Sequence, residues 1–352
     1  MEYYSGKELV SSSRYSVSII MPCLNEILYM GKCLDSLINN DYDKNLMEII
    51  VVDGMSDDGT RKILSEYSMN YPFIKFLDNP KRITPAALNI GVKASKGDII
   101  IRVDAHAVYE ANYISTLVNG LIMYKAENIG GIRNTALIHD SPVSLAISVA
   151  ISHPFTAGNA YYRTGSDNVR EVDTVWCGCF RKDLFDRIGY YNENIIRTED
   201  RDFNARIREI NGRIILDPST KCTYFPRTEL WNYCKWNTYG PFRLFYNHKF
   251  THVKMVSWRN FVPALFILYH LVVAFAFFYS PSIGLFISIP LVLYWLLVFF
   301  FSLQKALFFK SVFLVPAMFL VTVITHYGYG LGSLGGMPWY LFRKKALKGD
   351  LF

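Results

Sequence analysis

Short apolar runs alternate with amphipathic stretches through the first third of the chain. Tyr15 to Pro22, Met47 to Val52, Ile74 to Leu77 and Ile99 to Val103 are β-branched or apolar runs bounded by polar turns, the pattern of buried strands. Between them Leu28, Leu34, Leu37 and Ile38 recur at helical spacing, and Thr84-Pro85 places a proline at the first position of a further helix. Ser56 or Asp57 is the expected N-cap of the helix after the second strand. Strand–helix alternation of this kind predicts a mostly parallel sheet with helices on its faces, a Rossmann-like α/β arrangement. The pattern changes completely towards the C-terminus. A membrane-crossing helix needs about 20 mostly apolar residues, and both Phe261–Ser280 and Pro281–Leu303 meet that length. Ser311–Thr325 is apolar but runs into His326 and the glycines 328, 330, 332, 335 and 336, followed by Trp339 and Tyr340.

Composition sharpens this division. The chain has 352 residues, 51% of them hydrophobic, and a mean hydropathy of +0.15, too apolar for an ordinary soluble protein. Between Phe261 and Phe309 the only charged residue is Lys305. The net charge of +7 suits anionic lipid headgroups or anionic substrates. No compact basic stripe interleaved with exposed aromatics marks the α/β part, so no nucleic-acid partner is expected. Six cysteines occur without a C-x-x-C pair, which reads as reduced thiols rather than a zinc site. Residues 1–14 lack an apolar stretch of signal-peptide type, so no cleaved leader is expected.

The candidate chemistry lies at the strand ends. In open α/β sheets ligands bind outside the carboxyl ends of the strands, and three ends in succession offer Glu26, Asp53 and Asp104. Each alone also reads as a loop carboxylate. Three at one edge are harder to dismiss, and Asp104, with His106 two residues on, is the minimum needed to hold a divalent cation against a diphosphate. Asp57 and Asp58 either help position a ribose or cap the helix. Further on, Thr198-Glu199-Asp200 precedes an amphipathic helix marked by Phe203, Ile207 and Ile210. Acids there are favoured by the helix dipole, and Asp202 is assigned that role.

Several segments carry a resemblance in a fixed order. They are Val17 to Glu26, Val51 to Thr60, Asn89-Ile90-Gly91 with Gly97-Asp98, the Asp104 strand, Gly178-Cys179-Phe180-Arg181-Lys182, Ile188-Gly189, Thr198 to Phe203 with Arg206, and Asn211-Gly212. Over residues 15–225 the chain resembles family 2 glycosyltransferases of the GT-A fold. Arg102 to Ala107, Tyr109 and the tail His326 to Gly332 are similar to the ExoA-like branch, glucosyltransferases of succinoglycan-type exopolysaccharide assembly. The resemblance implies that Pro22, Asn25, Glu26, Asp53 and Asp104 bind the nucleotide-sugar, with Asp53 on the uracil ring and Glu26 near the nucleoside. It also implies that Asp200 is the catalytic base and that Asp104 binds Mn²⁺ or Mg²⁺. The family usually writes Asp-x-Asp where this chain has Asp104-Ala105-His106, so His106 is either a second metal ligand or a partner of a metal-bound water or sugar hydroxyl. The implied reaction is inverting transfer of one hexose of glucose type from a UDP-sugar to a polyprenyl-diphosphate-linked saccharide, in exopolysaccharide or cell-surface glycan synthesis. A polyprenyl-phosphate glycosyltransferase and a non-catalytic membrane scaffold on the same fold are the alternatives.

The expected organisation is a tail over 1–14, a GT-A catalytic domain over 15–225, an amphipathic interfacial segment over 226–260, transmembrane or re-entrant helices over 261–342 and a basic tail over 343–352. Trp231, Trp236 and Trp258 among lysines and arginines give the 226–260 segment the character of a helix lying in the headgroup layer. Lys249, Lys254, Arg259, Lys305 and Lys310 are expected on the cytoplasmic side, making this a multi-pass protein of the cell membrane with a cytoplasmic catalytic domain. A full third crossing would place Arg343, Lys344, Lys345 and Lys348 outside, so a re-entrant or hairpin path is expected for 311–342.

Overall fold

A computed structural model of the chain describes residues 15–158 and 160–342. The tails 1–14 and 343–352, with Arg343, Lys344, Lys345 and Lys348, lie outside the described residues. The chain divides into two compact units, one built from residues up to Asn134 together with Gly165–Phe225, the other from Thr135–Thr164 and the residues from Pro226 onward.

In the first unit the elements run β1 (Val17–Cys23), α1 (Met30–Ile38), β2 (Met47–Asp53), α2 (Thr60–Asn70), β3 (Ile74–Asp78), α3 (Thr84–Ala94), β4 (Ile99–Arg102), β5 (Ala107–Tyr109), α4 (Tyr113–Met123) and β6 (Asn128–Thr135). The chain then supplies the second unit with α5 (Pro142–Ser152), α6 (Pro154–Ala157) and α7 (Tyr161–Thr164), and returns through β7 (Arg170–Glu171), β8 (Gly178–Arg181), α8 (Leu184–Ile188), α9 (Glu199–Glu209) and β9 (Ile214–Tyr224). The strands form one sheet in the order β3-β2-β1-β4-β8-β6-β9-β5, with β7 on β9. Only the β3-β2-β1-β4 half is parallel. From β8 onward the described pairings are antiparallel, so the sheet is mixed rather than mostly parallel. Its core is the continuous apolar set that the strand runs predict, including Ile19, Met21, Ile49, Val51, Ile99 and Ile101, closed by Leu34, Leu37, Leu117 and Leu121 of α1 and α4.

The start of α2 differs from the sequence expectation. Its N-cap is Gly59, in the left-handed region at φ 103°, a conformation glycine adopts without strain. Asp58 accepts from the Thr60 amide and hydroxyl, while Ser56 and Asp57 face the neighbouring loop.

In the second unit α10 (Leu230–Tyr246) leads to α11 (Val262–Tyr279), α12 (Pro281–Phe308) and α13 (Leu314–Leu341). Three helices here, Trp258–Tyr279, Pro281–Phe308 and Leu314–Leu341, are long and apolar enough to cross a membrane. The segment expected to be re-entrant is instead the single continuous helix α13. Its glycines do not break it. They let helices approach: a Cβ at Gly336 would lie 2.6 Å from the Phe242 carbonyl oxygen, and one at Gly332 would collide with the backbone of Thr238, both on α10. Residues 135–164, inside the expected catalytic domain, cluster with these helices because α5 is apolar all round: Leu145, Ile147, Val149 and Ile151 are buried with Met318 and Val321. His139 meets Phe309 edge-on and His153 packs tilted against Phe301, which gives both histidines packing positions.

Candidate active site

β1, β2 and β4 run parallel and in register, Cys23 beside Asp53 and Ile20 beside Arg102, so their carboxyl ends open at one edge. Pro22 lies past the last β1–β4 rung, where the Val103 amide donates to the Ile20 carbonyl, and no partner there needs the N–H that proline lacks. Asn25 follows in the left-handed region at φ 57°, which asparagine tolerates better than most residues. Its amide donates to the Ser56 hydroxyl at 2.8 Å, and its side chain donates to Asp57 and accepts from the Asp57 amide. The loops after β1 and β2 are thereby stitched together.

Asp53 is the anchor of that stitching. Its carboxylate is 0% exposed and accepts from the Ser56 amide, the Ser56 hydroxyl at 2.5 Å and the Arg61 guanidinium at 2.6 Å. Arg61 also pairs with Asp78 at the end of β3. In this conformation Asp53 presents no surface to a nucleobase, and its oxygens are held by internal donors.

Glu26, Asp104 and His106 are brought together. His106 Nδ1 lies 2.9 Å from Asp104 Oδ1 and 3.3 Å from Glu26 Oε1. Burial opposes a charged imidazole, but the two carboxylates hold the proton and push the His106 pKa up to about 12. Burial likewise works against ionised Asp104. The charge and hydrogen bonding of His106, with Arg102 adding to them, outweigh it and keep this carboxyl below the usual range. The His106 ring packs against Tyr224, 4.9 Å between centroids, and Tyr224 in turn carries the Arg133 guanidinium 4.3 Å above its ring. Arg133 is buried between Tyr224 and Trp176.

Asp200 reaches the same region by a route that the spacing of motifs does not reveal. It lies in the first turn of α9, and Arg102, at the end of β4, bonds both Asp200 and Glu199, the latter at 3.1 Å. Arg102 is only 7% exposed. Its signal in the sequence was a lone charge inside a β-branched strand, which must find a partner when buried. Burial pushes the Asp200 carboxyl up to about 7 against the pull of Arg102, with the charges of Glu199 and Asp104 adding to the rise. A carboxylate titrating near neutrality at the mouth of a sheet is the kind of group that proton-transfer chemistry uses. Asp202, by contrast, pairs with Arg206 one turn along the helix at 3.0 Å and is structural.

The family model for glycosyl transferase family 2 matches residues 18–189. Succinoglycan biosynthesis protein ExoA of Rhizobium meliloti is 30% identical over 235 residues, covering 65% of this chain and 69% of that protein. This chain belongs to glycosyltransferase family 2. A second relative of the glycosyltransferase, dolichyl N-acetyl-alpha-D-glucosaminyl phosphate 3-beta-D-2,3-diacetamido-2,3-dideoxy-beta-D-glucuronosyltransferase of Methanococcus voltae, is 27% identical over 227 residues, 62% of this chain and 70% of that one. Among solved structures, mannosyltransferase PcManGT from Pyrobaculum calidifontis, in complex with GDP-Man and Mn²⁺, superposes with a TM-score of 0.51 at 18% identity. The match covers 66% of this chain and 62% of that one, less than two thirds of its length, and it is a likeness of fold. The catalytic unit of this glycosyltransferase thus has the GT-A fold, followed by apolar helices that could span a membrane.

Proposed function

We propose that this glycosyltransferase moves one hexose, with inversion, from a UDP-sugar to a polyprenyl-diphosphate-linked saccharide at the cytoplasmic face of the cell membrane. The observation that carries the reading is Asp200, in the first turn of α9 and tied by Arg102 to the strand that leads into Asp104. In this reading Asp200 takes the proton of the acceptor hydroxyl as that oxygen attacks the anomeric carbon from the side opposite the departing diphosphate. Asn25, with Pro22 and Glu26 beside it, shapes the nucleotide end of the cleft. Asp53 acts through the loop it holds.

The site fits a divalent cation, Mn²⁺ or Mg²⁺. Among the described residues no group of three or more His, Cys, Asp or Glu side chains is arranged to hold a metal alone. One or two protein ligands suffice where substrate phosphates complete the shell. Asp104 and Glu26 already stabilise one positive charge, that on His106, and their carboxylate oxygens suit either ion. Asp104 would hold the ion, with His106 as a second ligand or its hydrogen-bonding neighbour. When bound, the ion neutralises charge growing on the β-phosphate. Asp104→Asn is accordingly expected to abolish Mn²⁺-dependent binding of UDP, whereas His106→Ala retains part of it. Calorimetry with UDP and Mn²⁺ reads both, and unchanged affinity in Asp104→Asn would overturn the assignment.

The lipid-linked acceptor is supported by chain order and by one relative. The chain passes from the catalytic unit at Phe225 into aromatic and basic helices and then into apolar ones, a tether that a dissolved acceptor does not require. The Methanococcus voltae relative is named for an acceptor that is already a glycosylated dolichyl phosphate, which favours a lipid-linked saccharide over bare polyprenyl phosphate. The test offers a panel of UDP- and GDP-sugars with three acceptors in detergent: polyprenyl-diphosphate saccharide, its soluble headgroup and polyprenyl phosphate. Transfer from a UDP-sugar to the first is expected. Transfer only to polyprenyl phosphate would establish the alternative acceptor, and no turnover of any donor would leave a scaffold.

A further inference from the structure

Helices α11 and α12 form an antiparallel hairpin that turns at Ser280. Phe266 and Tyr294 lie 4.7 Å apart between ring centroids, and Tyr269 donates to the Ile287 carbonyl at 2.5 Å. Near the turn, a Cβ on Gly284 would collide with Phe277. The start of α11 and the end of α12 therefore share one end of the hairpin, its base. Helix α13 starts at that base: the Ser311 amide donates to the Ala306 carbonyl at 3.0 Å, and Leu314 is buried in one cluster with Phe301 and Ala306.

The far end of α13 returns to the same place. The Tyr340 ring is 5.8 Å from Phe261, which caps the start of α11. Tyr340 also lines a cavity of about 440 Å³ together with Trp258, Val262, Leu265 and Lys254. Between its ends α13 reaches the hairpin as far out as its middle, where Tyr327 bonds His270 and Trp295 stacks on Phe319 and Tyr327, and nearer the base a Cβ on Gly330 would lie 2.6 Å from the Pro263 carbonyl oxygen. Among the described residues no helix covers the outer half of the hairpin: Phe275, Phe278, Leu285 and Phe286 are 71%, 90%, 63% and 75% exposed. A third crossing of 28 residues, about 42 Å long, would run beside those residues and cover some of them.

We infer that α13 is not a membrane crossing: only α11 and α12 span, and α13 stays with α10 at the base of the hairpin, seated in the headgroup layer of a single leaflet. The surface there has the chemistry of that layer. Trp231, Trp236, Trp258 and Trp339 are exposed. Lys249 lies over the rings of Tyr246 and Trp339 at 3.9 and 5.0 Å. Rings at headgroup depth with long basic side chains between them are the pattern of interfacial helices. The same path ends α13, at Leu341, on the side of Lys254 and Arg259, so the conflict that a third crossing raises with the bias of basic residues does not arise. This inference does not depend on the donor, the acceptor or catalysis.

The test is sidedness in the full-length chain. A protease-cleavable epitope is added after Phe352, and in a Cys234→Ser background either Arg259→Cys or Ser282→Cys is read with a membrane-impermeant maleimide in sealed vesicles of both orientations. The epitope and Arg259→Cys are expected to react from one face and Ser282→Cys from the other. Loss of the epitope from the face that labels Ser282→Cys would make α13 a third crossing and overturn the inference. Because the epitope extends the native tail and leaves α13 unaltered, that reading does not depend on the cysteine at the turn being tolerated.

Discussion

Asp200→Asn is expected to lower turnover by roughly 10²–10⁴-fold, the range a positioned general base contributes, with donor affinity nearly unchanged. The amide is nearly isosteric and keeps an oxygen for Arg102, but it cannot accept the hydroxyl proton. The loss therefore falls on the transition state and not on nucleotide binding. The pH profile supplies an independent reading. A base must be ionised, so wild-type turnover is expected to rise with pH through about 7 and then level off, and the residual activity of the variant lacks that limb. Stability runs the other way. The folded carboxyl holds its proton more tightly than the unfolded chain, where the ordinary value is 3.8. Its stabilising contribution is present below about 4 and is lost as pH rises to about 7. Steady-state kinetics with donor titrations decides the matter: equal losses of affinity and turnover would make Asp200 structural.

Arg102→Met should have the largest effect on the fold. Removing one partner of a buried charge cluster costs roughly 3–5 kcal/mol, because the charges left behind remain desolvated. Here they are Glu199 and Asp200, both bonded to the guanidinium. For a unit of this size each kcal/mol shifts the melting temperature by roughly 2–4 °C, so a fall of about 6–20 °C is expected in thermal unfolding of the full-length protein in detergent. Asp200 loses the one strong cationic influence on its pKa, so the alkaline-going limb of the activity profile moves further up. A change in stability below about 1 kcal/mol would show that water, and not Arg102, balances these carboxylates.

The parallel half of the sheet and its cluster of Glu26, Asp104 and His106 could be read from residue order, because successive βα units put their polar residues at one edge without any knowledge of distant pairing. The antiparallel half could not. β6, β8 and β9 are separated by the excursion through α5 to α7, and nothing local in Gly178–Arg181 announces that it pairs with β4. Arg102 was visible as a misplaced charge, but its partners lie 97 and 98 positions away, and only packing joins them. Asp53 shows the opposite limit: its place at a strand end was correct, yet Ser56 and Arg61 occupy its oxygens, and those bonds depend on how the loop closes. The glycines of α13 follow the apolar run Ser311–Thr325 without ending its helix. In an apolar helix they permit close backbone approach to a neighbour, a distinction settled by α10 lying alongside.

Arg102 ends β4, and Asp104 stands two residues further along the same chain. Two residues of extended chain span at most about 7 Å. The backbone therefore works as a ruler: one mark holds the helix that bears Asp200, and the other ends at the Asp104 carboxylate. The gap between the two carboxylates is thus written in covalent geometry, while loops elsewhere at this edge can lengthen or shorten freely. Sugar and acceptor can diversify around such a gauge as long as nothing is inserted at Val103.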